Sequence, residues 1–94
     1  MSWEEVLKND ILESGLNDRG WSYWVEQPGQ SFPQPVVNKI FEMIDNSDNY
    51  HPQGFEMLNG FSIGINLRET SNWKGKLFVT RQGGSGYLLE SRKR

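Results

Sequence analysis

The pair Asn59-Gly60, followed by a clean apolar alternation, constrains this chain more than any other feature. Both residues tolerate positive φ, which a two-residue hairpin turn needs and most residues resist. Phe61, Ile63, Ile65 and Leu67 then alternate with Ser62, Gly64, Asn66 and Arg68, the period of a strand with one face buried. Upstream of the turn the pattern is awkward. A two-residue turn sets Leu58 opposite Phe61 and Glu56 opposite Ile63, so Glu56 falls on the apolar face and Phe55 and Met57 on the other. A bulge, a longer loop around Asn59, or a non-strand conformation for 53–58 would each remove that conflict.

The rest of the C-terminal half also reads as antiparallel sheet. Lys76–Arg81 is a strand, Gly83-Gly84-Ser85-Gly86 a flexible hairpin tip, and Tyr87–Ser91 a returning strand. Arg92-Lys93-Arg94 reads as a frayed end. In the N-terminal half, Ser2-Trp3-Glu4-Glu5 fits a capping box. Trp3, Leu7 and Ile11 follow on one helical face, and Gly15 is a plausible stop, which predicts a helix over 3–14. Trp21–Glu26 alternates as a strand, with Trp24 in the opposite phase to Trp21 and Tyr23. Pro28 to Pro35 is a turn-rich loop. Val37, Ile40, Phe41 and Ile44 then mark the clearest amphipathic helix, 35–46.

Helix, strand, helix and then hairpin-linked strands make a two-layer α+β domain. One or two helices pack on an antiparallel sheet of about four to five strands. At 94 residues the chain is one domain, 1–94. Its hydrophobic content of 35% is low, but an aromatic content of 13% offsets this, because each large ring buries about 150–250 Å². There are no cysteines, which removes disulfides, thiolate metal sites and cysteine nucleophiles. The chain shows no signal peptide, no apolar run long enough to span a membrane and no N-glycosylation triplet, so a cytoplasmic protein is the expectation.

Charge divides by position. Residues 1–70 hold four basic and eleven acidic residues, a balance of −7; residues 71–94 hold six basic and one acidic, a balance of +5. Such asymmetry points to an electrostatic partner or a basic tail. Lys74, Lys76 and Arg81 lie near Trp73, Phe78 and Tyr87, and basic residues interleaved with aromatics are one way to hold single-stranded nucleic acid. The plainer reading is a charged strand surface that resists edge aggregation.

The glycine tip 83–86 lacks the Lys-Ser/Thr of a phosphate loop and the third glycine of a dinucleotide fingerprint. His51 is the single histidine. One imidazole with loop carboxylates lacks zinc spacing, and the segment 45–52 is not a calcium loop. No metal or cofactor is expected. Trp21, Tyr23, Trp24 and Phe32 form the densest aromatic group: the first two read as core, while Trp24 and Phe32, with Trp73, are candidate interface contacts.

The leading expectation is a small non-catalytic protein-interaction module, binding a different protein or its own copy. An exposed edge at Tyr87–Ser91 would serve for self-pairing. Single-stranded nucleic-acid binding through the basic C-terminal hairpin is the alternative. An enzyme using His51 and nearby carboxylates ranks last.

Overall fold

The computed structural model of the chain describes residues 3–26, 32–47, 55–68, 74–82 and 88–94; for 3–10 and 24–26 the description stops at the backbone. Among these residues seven elements follow in order: α1 (Trp3–Asp18), β1 (Trp21–Glu26), α2 (Gln34–Asp45), β2 (Phe55–Leu58), β3 (Phe61–Asn66), β4 (Gly75–Arg81) and β5 (Leu89–Lys93). The strands form one antiparallel sheet in the order β1-β5-β4-β3-β2. Both helices pack on one side of it, the expected α+β arrangement.

The core is built from the strand residues of a single parity. Ile63 and Ile65 on β3, Leu77 and Val79 on β4, and Leu89 on β5 are buried, and they meet Leu12 and Leu16 of α1 and Val36, Val37, Ile40 and Met43 of α2. Trp21, at the start of β1, is buried in the same layer. Pro33 precedes α2, and Pro35 sits in its first turn, where a missing N–H costs nothing.

Helix α1 departs from its expected form in two ways. It runs to Asp18, not to residue 14, and Gly15 lies inside it. The reason is the approach of α2: a Cβ on Gly15 would stand 2.2 Å from Cζ of Phe41. Gly15 is therefore a contact glycine, and Gly20, at φ +80°, lies beyond the helix end. The buried stripe is also rotated. Leu12 and Leu16 face the core, while Ile11 is 49% exposed. The expected stripe partners Trp3 and Leu7, and the cap residue Ser2, lie outside the described side chains.

Arg19 fastens the two helices. Its Nε donates to Asp45 Oδ1 at 2.7 Å, a second nitrogen donates to Oδ2 at 3.1 Å, and a third reaches the Gly15 carbonyl at 3.0 Å. The guanidinium lies 4.5 Å from the centre of the Phe41 ring. The bond from Arg19 holds the Asp45 carboxyl below the usual carboxylate range, although burial opposes it.

Two expectations about the C-terminus are corrected. β5 is an interior strand, paired with β1 on one side and β4 on the other, so it offers no edge for self-pairing. The first strand of the chain occupies the place that hairpin order alone would leave open beside the last. Residues 92–94 are also tied down: Arg92 and Lys93 belong to β5, and Arg94 N–H donates to the Gly20 carbonyl at 2.9 Å. Ser91, fully buried, donates its hydroxyl to the Ser22 carbonyl at 3.0 Å and so stitches β5 to β1.

Candidate binding face on the open side of the sheet

The helices cover one face of the sheet. The other face is arranged in rows that the strand register defines. Phe55, Gly64, Phe78 and Glu90 form one row across β2, β3, β4 and β5. Asn66, Lys76, Arg92 and Ser22 form the next, and Met57, Ser62 and Thr80 lie on the other flank.

The awkward register upstream of Asn59-Gly60 is the one adopted. Leu58 pairs with Phe61 and Glu56 with Ile63, with no bulge and no longer loop, and Asn59 (φ 50°) and Gly60 (φ 83°) make the tight turn. Phe55 and Met57 consequently point to the uncovered face, where they are 56% and 63% exposed. Gly64 explains part of this. β2 and β4 stand about 10 Å apart, two strand spacings, and only a residue without Cβ lets rings from both lean over the strand between. Phe55 and Phe78 meet there with centroids 6.3 Å apart, and a Cβ on Gly64 would sit 2.6 Å from the Phe55 ring.

Beside the rings lies a charged knot. Glu90 Oε1 accepts from Lys76 Nζ at 3.0 Å and from Arg92 at 3.1 Å. Burial pushes the Glu90 carboxyl up, but the hydrogen bonds and charges of Lys76 and Arg92 outweigh it and hold the group below its ordinary value. Glu90 thus neutralises part of the positive charge at the centre of the face.

The contacts expected from the sequence separate accordingly. Lys76 shares the open face with Phe78, and Lys74 is exposed at the same end of the sheet, its N–H bonded to the Lys93 carbonyl. Arg68, Lys93 and Arg94 gather at that end too, since Asn66 pairs with Lys76 and Gly75 with Lys93. Arg81 stands at the other end of β4, opposite Phe61, about 20 Å away at strand rise. Phe32 is 1% exposed and stacks edge-on against Phe61, so its ring is core and not a surface contact. Trp24 is the residue of β1 with no partner on β5, where the register slips between Tyr23 and Val25; its side chain lies outside the description. Trp73, Tyr87, His51 and the glycine tip 83–86 also lie outside the described residues.

Phe55 and Met57 are the residues that sequence reasoning passed over as contacts. The signal was the two-residue turn, one of several readings of 53–58, which sets both residues opposite the apolar face. Among the described residues no group of three or more His, Asp or Glu side chains converges to hold a metal ion. Among the described residues no helix is long and apolar enough to cross a membrane. Comparison with protein-family models, with curated proteins and with solved structures finds no match to this chain.

Proposed function

We propose that this chain is a non-catalytic binding module that takes a polypeptide partner on the open side of its sheet, around Phe55, Met57 and Phe78. One observation carries the reading: two large apolar side chains, each more than half exposed, sit side by side on a face that neither helix covers. Exposed aromatic and methionine side chains in a cluster are what protein interfaces are rich in. A rim of Lys76, Arg92 and Glu90 adds polar groups already paired with one another, so a partner can cover them without leaving a lone buried charge.

Single-stranded nucleic acid is the second reading, favoured by the gathering of Arg68, Lys74, Lys76, Arg92, Lys93 and Arg94 at one end of the sheet. Against it stand Glu90 in the middle of the face and the distance of Arg81 from the other cations.

A titration followed by amide and methyl NMR separates the two. The probes are a set of short apolar peptides of different charge and a single-stranded oligothymidine. Peptide-induced shifts centred on Phe55, Met57 and Phe78, lost in the Phe55→Ser/Met57→Ser double variant, support the polypeptide reading. Shifts with the oligonucleotide at Lys74, Lys76 and Arg92 that fade steeply with salt overturn it in favour of nucleic acid.

A further inference from the structure

Among the described residues the sheet has two edge strands, and they differ. β1 carries a register slip at Trp24, and an irregularity of this kind blunts an edge against further pairing. β2 pairs with β3 without a slip. In a two-residue hairpin the residues flanking the turn form a hydrogen-bonded pair, and such pairs alternate with pairs that bond outward. Leu58 and Glu56 therefore bond to β3. The N–H and C=O groups of Phe55 and Met57 point away from it, along the open edge. Among the described residues, the two exposed apolar side chains of this face are thus on the two residues whose backbone groups point along the outer edge of β2.

Glu56 decides what kind of strand. It lies between them on the opposite face, at the end of the buried row Ile63, Val79 and Leu89. A second copy pairing antiparallel through all four outward groups of Phe55 and Met57 places Glu56 directly against Glu56 of that copy. Like charges directly opposite are destabilising. A strand with Lys or Arg at that position meets Glu56 with the complementary charge, and its stem extends the apolar row.

Resting on the polypeptide-binding reading, we infer that the partner adds as a sixth strand along β2, and that its contact segment has the alternation apolar, basic, apolar, with the basic residue opposite Glu56. Backbone bonds to Phe55 and Met57 supply attachment. The two apolar residues extend the patch of Phe55 and Met57, and the cation supplies selectivity.

The test uses the full chain and three short, acetylated and amidated peptides: one centred on Thr-Val-Lys-Val-Thr, one with Glu in place of Lys, and the Lys peptide with both valine nitrogens methylated. Binding of the Lys peptide is expected to slow hydrogen exchange at the amides of Phe55 and Met57. It is expected to exceed binding of the Glu peptide by about fivefold to tenfold, the size of one cross-strand charge reversal. N-methylation is expected to abolish it. Glu56→Lys reverses the preference and Glu56→Gln erases it; the Gln variant carries the test if the Lys variant does not fold. Binding to the face that ignores N-methylation and leaves those amides unprotected overturns strand addition while sparing the broader reading. A preference for Lys over Glu that survives Glu56→Gln overturns the charge assignment. No response at Phe55, Met57 or Phe78 to any peptide removes both.

Discussion

The two faces of the sheet use different chemistry at neighbouring positions. On the covered face, Ile63, Ile65, Leu77, Val79 and Leu89 form an aliphatic layer sealed by two helices. On the open face, Phe55, Met57 and Phe78 lie beside an ion-pair knot of Lys76, Glu90 and Arg92. The first arrangement is what stability requires, since burial of aliphatic surface is the main favourable term. The second leaves apolar surface in water, and its stabilising part is the ion-pair knot. The comparison teaches that the strands are two-sided for different reasons: one side holds the fold and the other keeps Phe55 and Met57 exposed.

Removing a residue from the covered face gives the largest expected effect. Leu77→Ala is expected to destabilise the chain by about 3 kcal/mol in chemical denaturation, because it empties a fully buried site between strand and helix. A loss below about 1 kcal/mol would mean the layer collapses around the gap and is not tightly packed. Gly15→Ala comes next. It adds a Cβ where the Phe41 ring lies, so the ring must leave both Gly15 and the Arg19 guanidinium. The expected cost is about 1–2 kcal/mol, despite alanine's better helix propensity. Stabilisation instead would show that the helices can separate without loss.

Acid sharpens the comparison, because on each side of the sheet a described carboxylate is held below its ordinary range. Asp45 is lowered by Arg19, and Glu90 by Lys76 and Arg92 against the pull of burial. Each adds stability that is fully present above its unfolded pKa of about 4 and is lost as pH falls through its lower folded value. The Arg19–Asp45 pair is partly solvent-screened, with half of the Asp45 side chain exposed, so about 0.5 kcal/mol is expected from it. Glu90, with 12% of its side chain exposed, is expected to give about 1 kcal/mol. Denaturation midpoints measured from neutral pH to pH 3 in Asp45→Asn and Glu90→Gln should each show a shallower loss than the unsubstituted chain.

The smallest effect belongs to the exposed apolar pair of the open face. Phe55→Ser and Met57→Ser are expected to change stability by no more than about 0.5 kcal/mol each, as exposed positions do. A cost near 2 kcal/mol in either would place that side chain in the structural framework and remove the contrast between the faces.

Much of this arrangement is legible in the residues. The turn at Asn59-Gly60, the strand phase of Phe61 to Leu67, the strand Trp21–Glu26 and the amphipathic helix near 35–46 all follow from local pattern. Gly15 was misleading, because a glycine that ends a helix and a glycine that admits a neighbouring ring look the same in sequence. The candidate site was half visible. Lys76 and Phe78 share a face by alternation alone, but Arg81 is separated from them by the length of β4, and Phe32 is taken up by the core against Phe61.

What the sequence determined by itself is local: the turn at Asn59-Gly60, the strand phases of Phe61–Leu67 and Lys76–Arg81, and which face of each is apolar, while the side on which Phe55 and Met57 lie came from the register of β2 on β3. The local features depend on φ preferences and on periods of two and three to four residues, which act within one segment. What only the tertiary structure decided is the order of the strands, and with it which edge is open. β1, separated from β5 by most of the chain, pairs beside it and leaves β2 at the rim. Such pairing is set by the shared burial of Trp21, Leu89 and the helix stripes, a long-range balance that no single segment encodes.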